Sequence, residues 1–364
     1  MSSAIRNQYD PDYVSLPGET LLEVLEEKNM SQAELAERTG RPRKTINEII
    51  NGKTAITPDT ALQLERVLGI PAQFWSQREQ HYQDFLARQR ESDRLEKQSE
   101  WVTQFPFKEM AKLGWVEFTK DKIPQCLSLL NFFAVASPEQ WVKHWENRKV
   151  AYRKSVAFES DSAATIAWLR KGEIEAEKIA CQPYSATKFR KALDEIRTLT
   201  VQPQKVFLPR IVSFSAEAGV AVVFVPELPK TRVCGVTRWL TPTKPLIQMS
   251  FRYKSNDHFW FTFFHEAKHV LQENKDEIFL EGSADYDPDS PMEQDANQFS
   301  KNHLIPESNL NRFLANRRRF TKVAIEQFAA EINIAPGIVV GRLQRDFGLP
   351  QDQCNGLKER VEQP

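Results

Sequence analysis

Paired cysteines, long apolar runs and net charge are all scarce in this chain, and each shortage removes a class of protein. Its four cysteines, Cys126, Cys181, Cys234 and Cys354, lie far apart with no CxxC. That excludes a disulfide framework and a zinc ribbon, and leaves reduced thiols as the expectation. No run approaches the roughly 18 apolar residues of a membrane-spanning helix. The opening MSSAIRNQYDPDY also lacks the charged-then-apolar pattern of a signal peptide. A cytoplasmic chain without a membrane partner is therefore expected. Lys plus Arg equals Asp plus Glu, 49 against 49, so any nucleic-acid site must be a local basic patch. Repeats and low-complexity tracts are missing too. What is present is length, 364 residues, enough for two or three domains.

The first hundred residues read as short helices. Leu21, Leu22, Val24 and Leu25 suit an amphipathic helix ending near Lys28-Asn29. Ser31 caps a second helix, with Glu34 completing a capping box, and Gly40 stops it. Pro42 at a first helical position opens a third helix that buries Ile46, Ile49 and Ile50. Asn51-Gly52 ends it, and Thr57-Pro58 starts a fourth. Two short helices around a Gly-containing turn are the helix-turn-helix unit, whose second member enters the major groove. Residues 38–53 carry Arg38, Arg41, Arg43, Lys44 and Lys53 against the single acid Glu48. Arg43, Lys44 and Asn47 point away from the isoleucines toward base edges, while Gln32 and Lys53 suit phosphates. With Arg41 and Thr45 these form the candidate DNA-contacting set.

The segment SLPGETLLEVLEEKNMSQAELAERTGRPRKTINEIINGKTAITPDTALQLERVLG resembles the lambda-repressor/Cro-like (XRE) helix-turn-helix, in its HigA-type antitoxin branch. The leading PGE, the INGK after the third helix and the later Phe74-Trp75 carry the likeness over roughly the first 85 residues. Pro42 departs from the serine cap of many relatives. The resemblance implies double-stranded operator DNA as partner and a homodimer on paired half-sites.

Residues 76–100 read as an exposed helix or helical linker, and residues 101–200 as alternating helices and loops. Trp141, Trp145 and Trp168 are spaced for packing between helices. Beyond Val206 the pattern changes to a short helix, then strands in VAVVFVP, RVCGVTRWL and PLIQMSFRY. Asn256 or Asp257 could cap the next helix, HFWFTFFHEAKHVLQE. On it His265 and His269 lie one turn apart on one face, so both imidazoles can reach a tetrahedral zinc ion at about 2.0–2.1 Å. Glu266 can then lean over the open position as a general base.

Three protein ligands are needed, and SPMEQDANQFSKNHLIP offers the third. Glu293, Ala296, Asn297, Ser300 and Leu304 share a face, which favours Glu293. Asp295 and His303 are alternatives, and Asn297 could orient Glu293. FTFFHEAKH and EQDANQFSKNHLIP resemble the ImmA/IrrE family of zinc metallopeptidases over roughly residues 185–310. By that resemblance His265, His269 and Glu293 are implied Zn2+ ligands and Glu266 the implied base. The tail FAAEINIAPGIVVGRLQRDFGL resembles the helical extension that often follows in such proteins. Lys268 stands where relatives usually have a small residue and would weaken metal binding if it faced the cleft. Ser300 replaces the usual alanine.

The expected fold class is α+β and mainly helical: an N-terminal helix-turn-helix bundle plus a zincin-like metallopeptidase domain with a small sheet and the HExxH helix. The expected division is a helix-turn-helix domain at 1–90, a helical middle at 91–184, a peptidase domain at 185–310 and a helical extension at 311–364. An extended substrate is expected to pair with PLIQMSFRY as an edge strand, with Tyr253, His258 or His303 helping to hold the oxyanion. The implied function is a DNA-binding regulator that cleaves a repressor or antitoxin protein. The alternative is a HigA-like antitoxin whose peptidase fold only senses a signal or binds a cognate toxin.

Overall fold

The computed structural model describes residues 14–144, 162–231, 233–273, 279–281, 290–315 and 320–363. Its contacts divide into two compact units, Met1–Ser99 and Glu100–Pro364. In the first, α1 (Pro17–Glu27), α2 (Gln32–Thr39), α3 (Arg43–Ile50), α4 (Pro58–Leu68) and α5 (Ala72–Lys97) follow in order. Leu21, Leu25, Leu35, Ile46, Leu64 and Trp75 build its core. Ser31 caps α2 by accepting from the Glu34 amide at 3.1 Å, and Thr57 does the same for Thr60 at the start of α4. The capping box is only half formed, because the Glu34 carboxylate pairs with Arg38 one turn on. Pro42 is the N-cap of α3, so the helix begins at Arg43, one residue later than the sequence predicts. Gly18 has a physical reason: a Cβ there would come within 2.3 Å of the Ile50 carbonyl, so its absence lets α1 abut the end of α3.

The second unit opens with α6 (Phe107–Lys112) and α7 (Lys122–Phe133), followed by α8 (Ser162–Glu177), α9 (Ala186–Thr198) and α10 (Gln204–Glu217). Trp141 packs edge-on to Trp101 and Phe105. Trp145 lies outside the described residues. Trp168 does not pack between helices. It is buried against the sheet and donates its indole N–H to the Val225 carbonyl at 3.0 Å.

The sheet contains β1 (Ala221–Phe224), β2 (Gly235–Thr241), β3 (Lys244–Met249) and, after α11 (Asn256–Gln272), β4 (Phe279–Glu281). The spatial order is β1-β3-β2-β4, with β1 parallel to β3 and the other pairs antiparallel. PLIQMSFRY is therefore an interior strand, and the expectation that it forms a free edge is overturned. Its backbone is bonded on both sides, which leaves no ladder for an added peptide. Among the described strands β1 and β4 are the outer ones. Side chains alternate as a two-sided sheet requires. Ala221, Val223, Val236 and Leu246 pack with Trp168 and Leu169 of α8. Val222, Ile247 and Met249 face the core that contains Trp260, Phe263 and Phe264 of α11. The remaining helices are α12 (Pro291–Leu304), α13 (Glu307–Ala315), α14 (Lys322–Glu331) and α15 (Pro336–Asp346). Among the described residues no single helix is long and apolar enough to cross a membrane.

One charge is fully enclosed between α8 and the sheet. Arg238 of β2 is 4% exposed, pairs with Glu173 at 3.0 Å and also donates to the Leu169 carbonyl. Removing one member of a buried pair leaves the other undercompensated, Glu173 keeping only Arg170 at 2.9 Å. Arg238→Ala is expected to destabilise the unit by about 3 kcal/mol, and Arg238→Ala combined with Glu173→Leu by less. Urea denaturation checks this; equal losses in both variants would show that the pair is not what holds α8.

Candidate metal centre

The N-cap of helix α11 is Ser255, not Asn256 or Asp257, and Ser255 makes no side-chain cap. The two expected caps are used for packing. Both are buried beneath α15, where a Cβ on Gly337 would reach within 2.4 Å of Asn256 Oδ1, and one on Gly341 within 2.5 Å of Asp257 Oδ2. The Asn256 amide instead donates to the Glu359 carbonyl at 2.9 Å. So anchored, α11 lies across the sheet with His265, Glu266 and His269 at 0–1% exposure.

Helix α12 supplies the third group. Ser290 caps it by accepting from the Glu293 amide at 3.4 Å, and Pro291 occupies its first turn. Ala296 and Ser300 are buried, and Ser300 Oγ donates to the Phe261 carbonyl at 2.8 Å, which sets the two helices side by side. His265 Nε2 and His269 Nε2 are 3.0 Å apart, and Glu293 oxygens stand 3.1 and 3.4 Å from them. Ligand atoms at zinc-bond lengths on a tetrahedron stand about 3.3–3.5 Å apart. The triangle of His265 Nε2, His269 Nε2 and the Glu293 carboxylate, which turns Oε2 to the first and Oε1 to the second, therefore fits one small divalent ion. Burial alone would raise the Glu293 pKa, but hydrogen bonds and charge from His265 and His269 outweigh it and bring the value to about 2. The carboxylate is thus ionised, as a ligand must be.

Glu266 faces the sheet. Thr237 Oγ1 lies 2.6 Å from Glu266 Oε2 and 2.9 Å from its carbonyl, and a Cβ on Gly235 would meet Oε1 at 2.7 Å. Neither β2 residue was foreseen. The signal available was an isolated glycine inside RVCGVTRWL, which marks a close approach.

In the first unit, Arg43, Lys44, Asn47 and Lys53 are exposed, and Gln32, Arg41 and Thr45 half-buried. Arg41 is tied to Gln63 of α4, and Lys44 reaches Glu48 at 3.7 Å. Asn47 accepts from Asn51 through both its carbonyl and its side chain. Arg43 opens α3 and Lys53 follows three residues past its end, both exposed.

Both halves match known families. Residues 21–75 match the helix-turn-helix family model, and residues 221–344 match that of the peptidase M78 family, described as IrrE N-terminal-like domain. The chain joins a helix-turn-helix domain to an IrrE-like domain. A curated relative is an uncharacterized HTH-type transcriptional regulator, YddM, of Escherichia coli (strain K12). The two are 36% identical over 59 residues, 16% of this chain and 63% of that protein, so the chain spans under two thirds of its length. Among solved structures, an addiction module antidote protein of a HigA family from Coxiella burnetii is 32% identical, covering 23% of this chain and 92% of that one (TM-score 0.22). The Pseudomonas aeruginosa antitoxin HigA with higBA promoter is 30% identical over 23% of this chain and 94% of that one (TM-score 0.22).

Within the IrrE-like domain several sequence candidates fall away from the triangle. His303 Nε2 is 3.1 Å from the Leu193 carbonyl and its ring packs on Phe264 and Phe299. Its burial pushes its pKa down. Asp295 is exposed and takes a salt bridge from Lys268 at 2.9 Å. Lys268 thus faces Asp295 and Phe299, not the triangle, which removes the electrostatic objection to it. Asn297 sits one turn beyond Glu293 on α12. Tyr253 is 55% exposed and stacks on His258 at 4.7 Å, two turns before His265.

Gln272 was missed, though it lies three residues past His269 on the same helix. Its Oε1 is 2.9 Å from His269 Nδ1, while its Nε2 donates to the Met292 carbonyl at 3.0 Å and to Asp295 at 3.1 Å. Because the amide nitrogen is engaged by two acceptors, Oε1 must accept, so His269 carries its proton on Nδ1 and offers the Nε2 lone pair. Gln272→Ala is expected to weaken zinc affinity about 10–100-fold. Competition against a chromogenic chelator measures this, with unchanged affinity counting against the orienting role.

Proposed function

We propose that the chain is a cytoplasmic DNA-binding regulator whose IrrE-like domain is a zinc-dependent endopeptidase acting on a repressor or antitoxin protein. The observation that carries the reading is the buried triangle of His265, His269 and Glu293, which would hold the zinc. Zinc held there supplies Lewis acidity, which polarises a peptide carbonyl and makes water more acidic. Glu266 is the proton acceptor and later the donor to the leaving amine. Thr237, through its hydrogen bond, fixes the rotamer of Glu266, and Gly235 leaves room for the carboxylate against β2. Gln272 orients His269. An extended substrate pairs with an outer strand, and β4, next to β2, is the candidate beside α11. Asn297 steadies Glu293.

The helix-turn-helix domain binds operator DNA as a homodimer, with Arg43, Lys44 and Asn47 toward base edges and Gln32, Arg41, Thr45 and Lys53 toward the backbone. The alternative, a non-catalytic sensing or toxin-binding domain, makes opposite predictions for metal and cleavage.

Purified protein is expected to contain one zinc per chain. Glu266→Gln should keep that zinc while losing cleavage of its protein substrate by about 100-fold or more. Zinc-free protein, together with a Glu266→Gln strain indistinguishable from wild type, would favour the alternative.

On DNA, Arg43→Ala is expected to relax sequence choice by about 1–3 kcal/mol at one base position. Lys53→Ala should weaken binding to all sequences and reduce the salt slope by about one. Fluorescence anisotropy over a salt series separates the two, and identical curves for both variants and wild type would remove α3 from the interface.

A further inference from the structure

A cavity of about 260 Å³ opens where the amino-terminal half of α11 meets the end of α12, helix α15 and the carboxy-terminal tail. Its apolar wall is Phe261, Leu304 and Ile338. Its polar wall is cationic: Lys301, Arg342, Arg345 and Lys358 line it, and Asp257 is the acidic side chain among the lining residues.

The charges do not balance. Lys358 and Asp257 neutralise each other at 2.7 Å. Lys301 and Arg342 share the single carboxylate of Asp346, at 3.1 and 2.8 Å. Arg345 lies over the face of Phe261 at 4.5 Å and, among the described residues, has no ion pair. Two cations one turn apart on α15, Arg342 and Arg345, are thus short of a counter-charge. Arg342 is also desolvated: its Nη1 is buried and makes no hydrogen bond within the protein. Burial lowers its pKa and the charge of Arg345 acts in the same direction, while Asp346 and Glu307 act against them. A buried guanidinium nitrogen without an acceptor is unfavourable. An anion in the cavity would supply that acceptor and offset both charges.

The walls are held from several directions. Gly337 and Gly341 let α15 pack close to α11, and Gln344 Nε2 donates to the Gln353 carbonyl at 2.9 Å and to Asn355 at 3.0 Å. The tail bearing Lys358 is pinned by the Asn256-to-Glu359 and Val361-to-Lys254 backbone bonds. A cavity with one apolar side, one cationic side and fixed walls has the character of a small-molecule site, and its volume lies just below the usual range of about 300–1,000 Å³.

We propose that this cavity binds a small organic anion, its carboxylate or phosphate on Arg342 and Arg345 and its apolar body against Phe261, Leu304 and Ile338. The same helix carries Phe261 and, one turn on, His265, with ring centroids 6.1 Å apart. Occupancy therefore bears on the metal-binding half of α11. The binding claim stands apart from whether the domain cleaves peptides.

Calorimetric titration of the full-length, zinc-supplemented protein tests it, with phenyl phosphate, inorganic phosphate and benzyl alcohol as probes. Phenyl phosphate is expected to bind at one site per chain, about tenfold or more tighter than either of the others. Arg345→Gln, at an exposed position safe for folding, should weaken it about tenfold or more, and Arg342→Gln further. Inorganic phosphate binding as tightly would overturn the organic-anion assignment. No saturable heat with phenyl phosphate, or binding unchanged in Arg345→Gln, would overturn the site itself.

Discussion

The metal-binding face of the second unit depends on finding partners for three polar side chains buried in the middle of one helix. His265, Glu266 and His269 are 0–1% exposed, set among the buried apolar residues Phe259, Trp260, Phe263, Phe264, Ala267 and Val270. A buried polar group without a partner is unfavourable by about 1–3 kcal/mol, so a helix of this composition is stable only if its neighbours bring partners. They do so from three directions. Helix α12 brings Glu293 to both imidazoles, β2 brings Thr237 to Glu266, and α11 itself brings Gln272 to His269. The sheet order, the close α11–α12 pairing and the glycine at position 235 are consequences of that requirement.

Much of this was legible because its causes are local. Ser31 and Thr57 cap helices where the sequence says they should, since a hydroxyl before an apolar-periodic run needs only its own next turn. Glu293 meets the histidines because its helix face was readable from the 100° step. What depended on non-local packing was not legible. Alternation in PLIQMSFRY reveals that a strand has two faces but not which strands flank it, so an interior strand was read as an edge. Asn256 and Asp257 look like caps in sequence, yet α15 arrives from eighty residues away to cover them. Glu34 had the right spacing for a capping box, but Arg38 offered a full charge within one turn, and the ion pair won.

Close approaches of backbone explain glycines that periodicity leaves unexplained. Gly18, Gly235, Gly337 and Gly341 have no shared motif. Each stands where a neighbour's atoms come within 2.3–2.7 Å of the point a Cβ would occupy. In the first unit this joins α1 to α3, and in the second it seats Glu266 against β2 and α15 against α11. Placement of one element against the next is thus specified by what the residue omits, a signal read only after both partners are known.

The joint between the two ligand-bearing helices shows how charge is kept out of the centre. Lys268 sits beside His269 in sequence and would oppose a divalent ion if its side chain turned inward. It turns outward to Asp295, over the Phe299 ring, and the same carboxylate accepts from Gln272. The exposed ion pair is worth little by itself. Its consequence is positional, because Asp295 lies two residues from Glu293 and Gln272 three residues from His269. Holding Asp295 to α11 therefore fixes the rotation of α12 that presents Glu293. Gln272, clamped by Met292 and Asp295, can offer only its oxygen to His269. A lysine that sequence alone marks as a threat to the metal thus belongs to the network that keeps the triangle in register.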